Sequence, residues 1–142
     1  CLIEGTFRVL DEGLRGEVAA MLGEIADAVA RASGCEASIE TKPGEPVTMN
    51  DPALTDLVRV AATEVLGAER VREIRRPSMG SEDFAFYARL VPGKMFRLGV
   101  RNEALGLVHP LHHPEFAVDE TAIPVGAAAL LAAAERFLAK GA

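Results

Sequence analysis

Ile3-Glu4-Gly5-Thr6-Phe7-Arg8-Val9 alternates in character: Ile3, Gly5, Phe7 and Val9 fall on one side, with Glu4, Thr6 and Arg8 on the other. This is the period-two pattern of a half-buried strand. Asp11 follows in a position to cap a helix whose apolar residues Leu14, Val18, Met21, Leu22, Ile25 and Val29 share one stripe, with Gly34 as its stop. A second alternating run then sets Cys35, Ala37, Ile39 and Thr41 against Glu36, Ser38, Glu40 and Lys42. The unit reads as β-α-β and ends in the Pro43-Gly44-Glu45-Pro46 break, which has the composition of a linker.

Beyond that break the composition shifts, and a boundary is expected near Val47. Asn50-Asp51-Pro52 predicts a helix start, with Asp51 as cap and Pro52 in the first helical position. Its buried face is expected to carry Leu54, Leu57, Val58, Ala61, Val65 and Leu66, and Gly67 ends it. Ser81 is expected to cap a short helix through Leu90, and Lys94 to Val100 reads as a largely buried strand. A last helix is expected from Glu120 to Lys140, with Pro124 early enough to be tolerated in its first turn. Strands alternating with helices give an α/β class.

The 142 residues are 49% hydrophobic and 25% charged, a globular balance large enough for one core or two small ones. A net charge of −6 with no long basic run argues against nucleic acid as a partner. The Ala/Leu-rich run from Gly126 to Ala134 is about half the ~20 residues that span a bilayer, so no membrane association is expected. Cys1 and Cys35 are too few for a disulfide framework, which makes a reducing, cytoplasmic setting the expectation. The chain opens at Cys1 inside a predicted strand, without an initiator Met or a signal-peptide pattern, so further sequence is expected upstream.

Residues able to carry chemistry gather in two places. The connection before the last helix holds all three histidines, His109, His112 and His113, with Glu115, Asp119 and Glu120 near enough to orient an imidazole. Spacing alone leaves ligation and a solvated structural role both open, because the chain has no HExxH and no CxxC. In Gly80-Ser81-Glu82-Asp83 the carboxylates either favour the positive end of a helix or face a pocket, where one orders substrate or water.

Met79-Gly80-Ser81-Glu82-Asp83-Phe84-Ala85-Phe86-Tyr87, Leu98-Gly99-Val100, Pro110-Leu111-His112-His113-Pro114-Glu115-Phe116, and Asp119-Glu120 before Ile123-Pro124-Val125-Gly126-Ala127-Ala128 occur in that order. Together with Glu4-Gly5-Thr6-Phe7-Arg8 and Val47-Thr48-Met49-Asn50-Asp51-Pro52, this set resembles the carboxy-terminal part of the metallo-aminoacylase and carboxypeptidase family, which includes hippurate hydrolase and indole-acetyl-amino-acid hydrolases. The resemblance covers essentially the whole chain. It implies the second half of a ferredoxin-like lid over residues 1–46, followed by the carboxy-terminal part of a mixed-sheet α/β metallopeptidase-like domain over residues 47–142. It also implies a homodimer formed through the lid.

The same resemblance implies a site with two divalent ions, a bridging water and a glutamate base that hydrolyses an N-acyl amino acid or small peptide. Residue by residue, His112 matches the family's last metal ligand, while His113 falls where a small residue is common and is not counted as one. Glu82 resembles a pocket-lining, substrate-binding residue. Arg8 matches the lid arginine expected to grip the substrate carboxylate, a task suited to a bidentate guanidinium; its other reading is a solvated strand charge. Zinc or manganese is the expected metal, with cobalt and nickel also compatible with imidazole.

The pattern's Cys-x-His ligand pair and Glu-Glu pair do not occur in the 142 residues, so no catalytic base is assigned and the amino-terminal half of the family pattern is missing. One carried-over ligand is short of the roughly three that a catalytic zinc takes, and the chain alone is not expected to be active. The leading reading is part of a metal-dependent amidohydrolase. The alternative is a noncatalytic module for dimerisation or small-acid binding.

Overall fold

The structure, a computed structural model, describes residues 1–139 and 141. Four α-helices are formed: α1 (Gly13–Ala32), α2 (Pro52–Leu66), α3 (Phe84–Ala88) and α4 (Ala122–Ala139). Short 3-10 turns occupy Ala68–Arg70 and Glu103–Leu105. Among the described residues the only β pairing is one antiparallel bridge between Asn102 and Leu107. The three predicted strands, near residues 3–9, 35–42 and 94–100, therefore have no ladder here. Alternation records a preference for a pleated, half-buried surface, and a strand forms only when another backbone supplies its hydrogen bonds.

The chain divides into two compact units, one of residues 1–49 and 75–91 and one of residues 50–74 and 92–142. The segment Arg75–Val91, which contains the Gly80-Ser81-Glu82-Asp83 motif, thus groups with the amino-terminal residues.

In the first unit α1 ends as its sequence requires. Gly34 adopts φ 66°, Cys35 N–H reaches the Ala30 carbonyl at 2.9 Å, and Gly34 N–H reaches that of Arg31 at 3.1 Å. These two bonds close a Schellman motif and satisfy carbonyls that the helix leaves free. The start differs from expectation, because Asp11 Oδ1 accepts from Gly13 N–H at 2.7 Å and Glu12 is the residue that precedes the first turn. The apolar stripe is present but no α1 residue is buried; Met21, Ile25 and Val29 stay more than half exposed.

The Pro43–Pro46 break is anchored and does not behave as a free linker. Arg15 Nη2 donates to the Glu45 carbonyl at 2.8 Å, Val47 N–H donates to Glu12 Oε2 at 2.9 Å, and Pro46 is buried. Nor does Ser81 cap a helix running to Leu90. Helix α3 starts at Phe84 without any side-chain cap and stops at Ala88, with Ala85 fully buried.

The second unit has the better-defined core. Asp51 Oδ1 accepts from Leu54 N–H at 2.8 Å, Pro52 occupies the first turn, and Gly67 leaves α2 with φ 89°. Leu57, Ala61 and Ala133 form the buried cluster, with Val58 and Ala132 packed against it. Ala62 is buried as well, whereas Val65, expected inside, is 50% exposed. Small residues let α2 and α4 approach closely, and Gly126 on α4 continues that contact surface toward Leu98. Arg136 Nη1 adds hydrogen bonds to both carboxylate oxygens of Glu64, at 3.0 and 2.9 Å. That pair is open to solvent and adds about 0.2–1 kcal/mol at most, so burial of the alanine surface carries the contact.

Helix α4 spans 18 residues and is, by length and composition, apolar enough to cross a membrane, which the shorter run from Gly126 to Ala134 did not anticipate. It packs on α2, with Ala133 in the shared cluster and Ala129 buried, while Ile123, Leu130, Leu131 and Leu138 stay more than half exposed. It starts at Ala122, two residues later than expected, with Pro124 in its first turn; the expected end at Lys140 lies outside the described residues.

Segment Lys94–Val100 is held at its ends. Asp51 N–H donates to the Gly93 carbonyl at 2.8 Å and Met95 N–H to Asn50 Oδ1 at 2.8 Å, while Asp119 N–H donates to the Val100 carbonyl at 2.9 Å. It is less buried than expected, with Arg97, Leu98 and Gly99 exposed. Asp119 closes the connection that follows. Its carboxylate accepts from Asn102 Nδ2 at 2.7 Å, from Thr121 Oγ1 at 2.7 Å and from Thr121 N–H at 3.0 Å. These bonds, that from Asn102 foremost, hold the Asp119 carboxyl below its ordinary range.

Two predictions follow from this packing. Ala61→Leu, placed at a residue only 1% exposed, should cost about 1–3 kcal/mol through overpacking. Gly126→Ala brings its new methyl against the flexible, partly exposed end of Leu98, and about 1 kcal/mol of helix propensity offsets the shift. Thermal unfolding should therefore show a lower Tm for the first variant and little change for the second. For Asp119 the lowered carboxyl stabilises the fold above the unfolded value of about 3.9 and loses that contribution as pH falls through the folded value. Asn102→Ala should accordingly destabilise the chain more at pH 7 than under strongly acid conditions; equal destabilisation at both would remove Asp119 from the account.

Candidate substrate-binding and metal-ligand residues

The connection between Arg101 and α4 is built from short local bonds. Asn102 and Leu107 exchange backbone hydrogen bonds at 3.0 and 2.9 Å, Asn102 Oδ1 caps the Glu103–Leu105 turn, and Gly106 supplies φ 72°. Arg101 Nη1 donates to the Val108 carbonyl at 2.8 Å, fixing the chain just before His109. A second turn follows, closed by His113 N–H on the Pro110 carbonyl at 3.1 Å.

His112 occupies the third position of that turn with φ 72°, and it is the one non-glycine residue with positive φ among the described residues. A left-handed backbone costs an ordinary side chain roughly 1–3 kcal/mol, and such positions gather at functional sites. The imidazole is exposed and makes no hydrogen bond among the described residues. It is free to offer one nitrogen.

The other two histidines lie together. The His109 and His113 rings stack with centroids 4.1 Å apart and planes 10° from parallel, and His109 Nε2 stands 3.6 Å from Glu115 Oε2. His109, His113 and Glu115 bring three potential ligand atoms within 4.8 Å of one another, a group that the expectation built on His112 does not contain. Its chemistry fits a metal poorly. His113 Nδ1 already accepts from Glu115 N–H at 3.1 Å, so its neutral form carries the proton on Nε2 and has no lone pair to spare. Parallel rings also direct their in-plane lone pairs along lines about 4 Å apart, which do not converge on an ion needing nitrogens at about 2.0–2.1 Å.

In the first unit the structure joins two sequence-distant motifs. Arg8 Nη1 donates to Ser81 Oγ at 2.7 Å across 73 positions of sequence. Glu82 is exposed beside it; its carbonyl accepts from Ala85 N–H at 3.0 Å, opening α3, while its carboxylate has no ion pair among the described residues. Arg8 and Glu82 thus share one unit, and His112 belongs to the other. Neither the His109–His113 stack nor the Arg8–Ser81 bond was expected from the sequence. The first carries no spacing signal, and the second joins residues too far apart for any local pattern.

Comparison with known proteins adds to this geometry. The chain is 35% identical over 133 residues to the probable hydrolase sll0100 of Synechocystis, covering 94% of this chain and 34% of that protein. It is 33% identical over 141 residues to the IAA-amino acid hydrolase ILR1-like 6 of Arabidopsis thaliana, covering 96% of this chain and 30% of the relative. It is likewise 33% identical to the N-acetyl-L-cysteine deacetylase of Bacillus subtilis, covering 96% of this chain and 31% of the relative. The chain therefore spans about a third of the length of these curated relatives. No solved structure matches it significantly. The sequence profile of peptidase family M20/M25/M40 matches residues 4–136, nearly the entire chain, and the chain belongs to that family.

Proposed function

We propose that this chain is the carboxy-terminal part of a metal-dependent amidohydrolase that cleaves N-acyl amino acids or small peptides. The observation that carries the reading is the match of the M20/M25/M40 peptidase profile over residues 4–136; His112, read as the family's last metal ligand, has a left-handed backbone and an exposed imidazole. In this reading residues 1–46 belong to a ferredoxin-like lid that also forms a homodimer, and residues 47–142 belong to the catalytic α/β domain. The enzyme works in the cytoplasm without a nucleic-acid or membrane partner.

His112 contributes one imidazole to a site for zinc or manganese, binuclear in the complete enzyme. A metal held there would supply Lewis-acid polarisation of the scissile carbonyl and a more acidic water. The remaining ligands and the glutamate base are contributed from outside these 142 residues. Arg8 takes the substrate carboxylate through charge-assisted bonds, and Glu82 lines the same pocket. The relatives named for IAA-amino acids, for N-acetyl-L-cysteine and, in Saccharolobus solfataricus, as thermostable carboxypeptidases support a substrate with a carboxylate beside the scissile amide.

The test is to compare an N-acyl amino acid with its carboxamide, using hippurate and hippuramide in the complete enzyme. Arg8→Ala should reduce kcat/KM for hippurate by about 2–5 kcal/mol of transition-state stabilisation and spare the amide. Equal loss on both substrates would return Arg8 to a solvated strand charge. The 142-residue chain alone, given zinc or manganese, should hydrolyse neither; turnover that disappears with His112→Ala would show that the other ligands and the base are not needed.

A further inference from the structure

The bond between Arg8 and Ser81 lies within one unit, spans 73 positions and joins the two motifs that carry the substrate-binding reading. Two carboxylates, Glu82 and Asp83, follow Ser81 directly, yet neither forms an ion pair with Arg8 among the described residues. The difference matters for what the guanidinium can still do. A carboxylate partner would cancel the positive charge and compete with an incoming anion, whereas a hydroxyl accepts one N–H and leaves the charge whole. Of the five N–H donors a guanidinium carries, only one is engaged among the described residues. Among the described residues the Ser81 hydroxyl makes no other hydrogen bond, and α3 begins at Phe84 without a side-chain cap.

From this arrangement we infer that Ser81 is the positioning residue for Arg8: its hydroxyl holds the guanidinium in one orientation while leaving it charged, which sets the preference for a substrate bearing a free carboxylate. The inference rests on the proposed role of Arg8 and adds a specificity-determining partner to it. Restricting a long, freely rotating side chain before binding lowers the ordering cost at the moment of capture. The effect should therefore appear in carboxylate affinity more than in the chemical step.

The experiment measures kcat and KM for hippurate and hippuramide in the complete metal-loaded enzyme, with Ser81→Ala, Ser81→Thr, Arg8→Ala and the double variant. Loss of one hydrogen bond of ordinary net strength corresponds to about a threefold to tenfold change. Ser81→Ala should reduce the preference for acid over amide by that factor, mainly through the KM of the acid. Ser81→Thr, which keeps a hydroxyl, should restore it. In the Arg8→Ala background Ser81→Ala should have no further effect on the preference. If Arg8→Ala removes the preference but Ser81→Ala leaves it intact, the inference is overturned while the reading of Arg8 survives. If Arg8→Ala leaves the preference intact, both fall.

Discussion

The contact that orders the carboxy-terminal unit is the close approach of α2 and α4 over Ala61 and Ala133. The connection that carries His112 is shaped by its own local bonds and is tied to that pair at its ends. Asn50 and Asp51, at the start of α2, fix residues 93–95 through one side-chain and one backbone bond, and Asp119, just before α4, fixes Val100 and Asn102. The segment carrying the histidines is thus tied at both ends to one helix pair. Small residues make this possible, since a methyl side chain lets two backbones approach where leucine would hold them apart. Among the charged groups of the described residues only the solvent-open Glu64–Arg136 pair spans the contact, and its modest worth makes apolar packing the term that decides.

Local signals in the sequence proved legible where the physics is local. Asp51, Pro52 and Gly67 specify the ends of α2 through a cap bond, a missing donor and a left-handed exit, all readable within a few residues. Gly34 likewise encodes the Schellman end of α1. Signals needing a distant partner were misread. The alternation at residues 3–9 and 35–42 and the apolar run at 94–100 state what a strand would bury and not what pairs with it. Ser81 looks like a helix cap because serine before an acidic turn is a common one, but a 2.7 Å bond to Arg8 takes its hydroxyl instead. The Pro43–Pro46 break looked loose for the same reason, its anchors on Glu12 and Arg15 lying some thirty positions away.

The candidate site divides similarly. Membership of the M20/M25/M40 peptidase family was legible from the ordered motifs, because several residues in sequence order specify far more than any one spacing. The fate of each histidine was not. Three imidazoles within five positions offer similar chemistry on paper, and the folded geometry separates them: one stands alone on a left-handed turn, while two stack beside Glu115, whose N–H donates to His113 Nδ1. Proximity favours the stacked pair as a metal site, but lone-pair direction and tautomer argue against it.

Metal stoichiometry in the complete enzyme, measured for His109→Ala, His112→Ala and His113→Ala, tests this assignment most directly. The account predicts that His112→Ala loses bound zinc or manganese, while the His109 and His113 variants keep the full complement. Retention by His112→Ala together with loss in either of the other two would contradict it and move the site to the stacked pair.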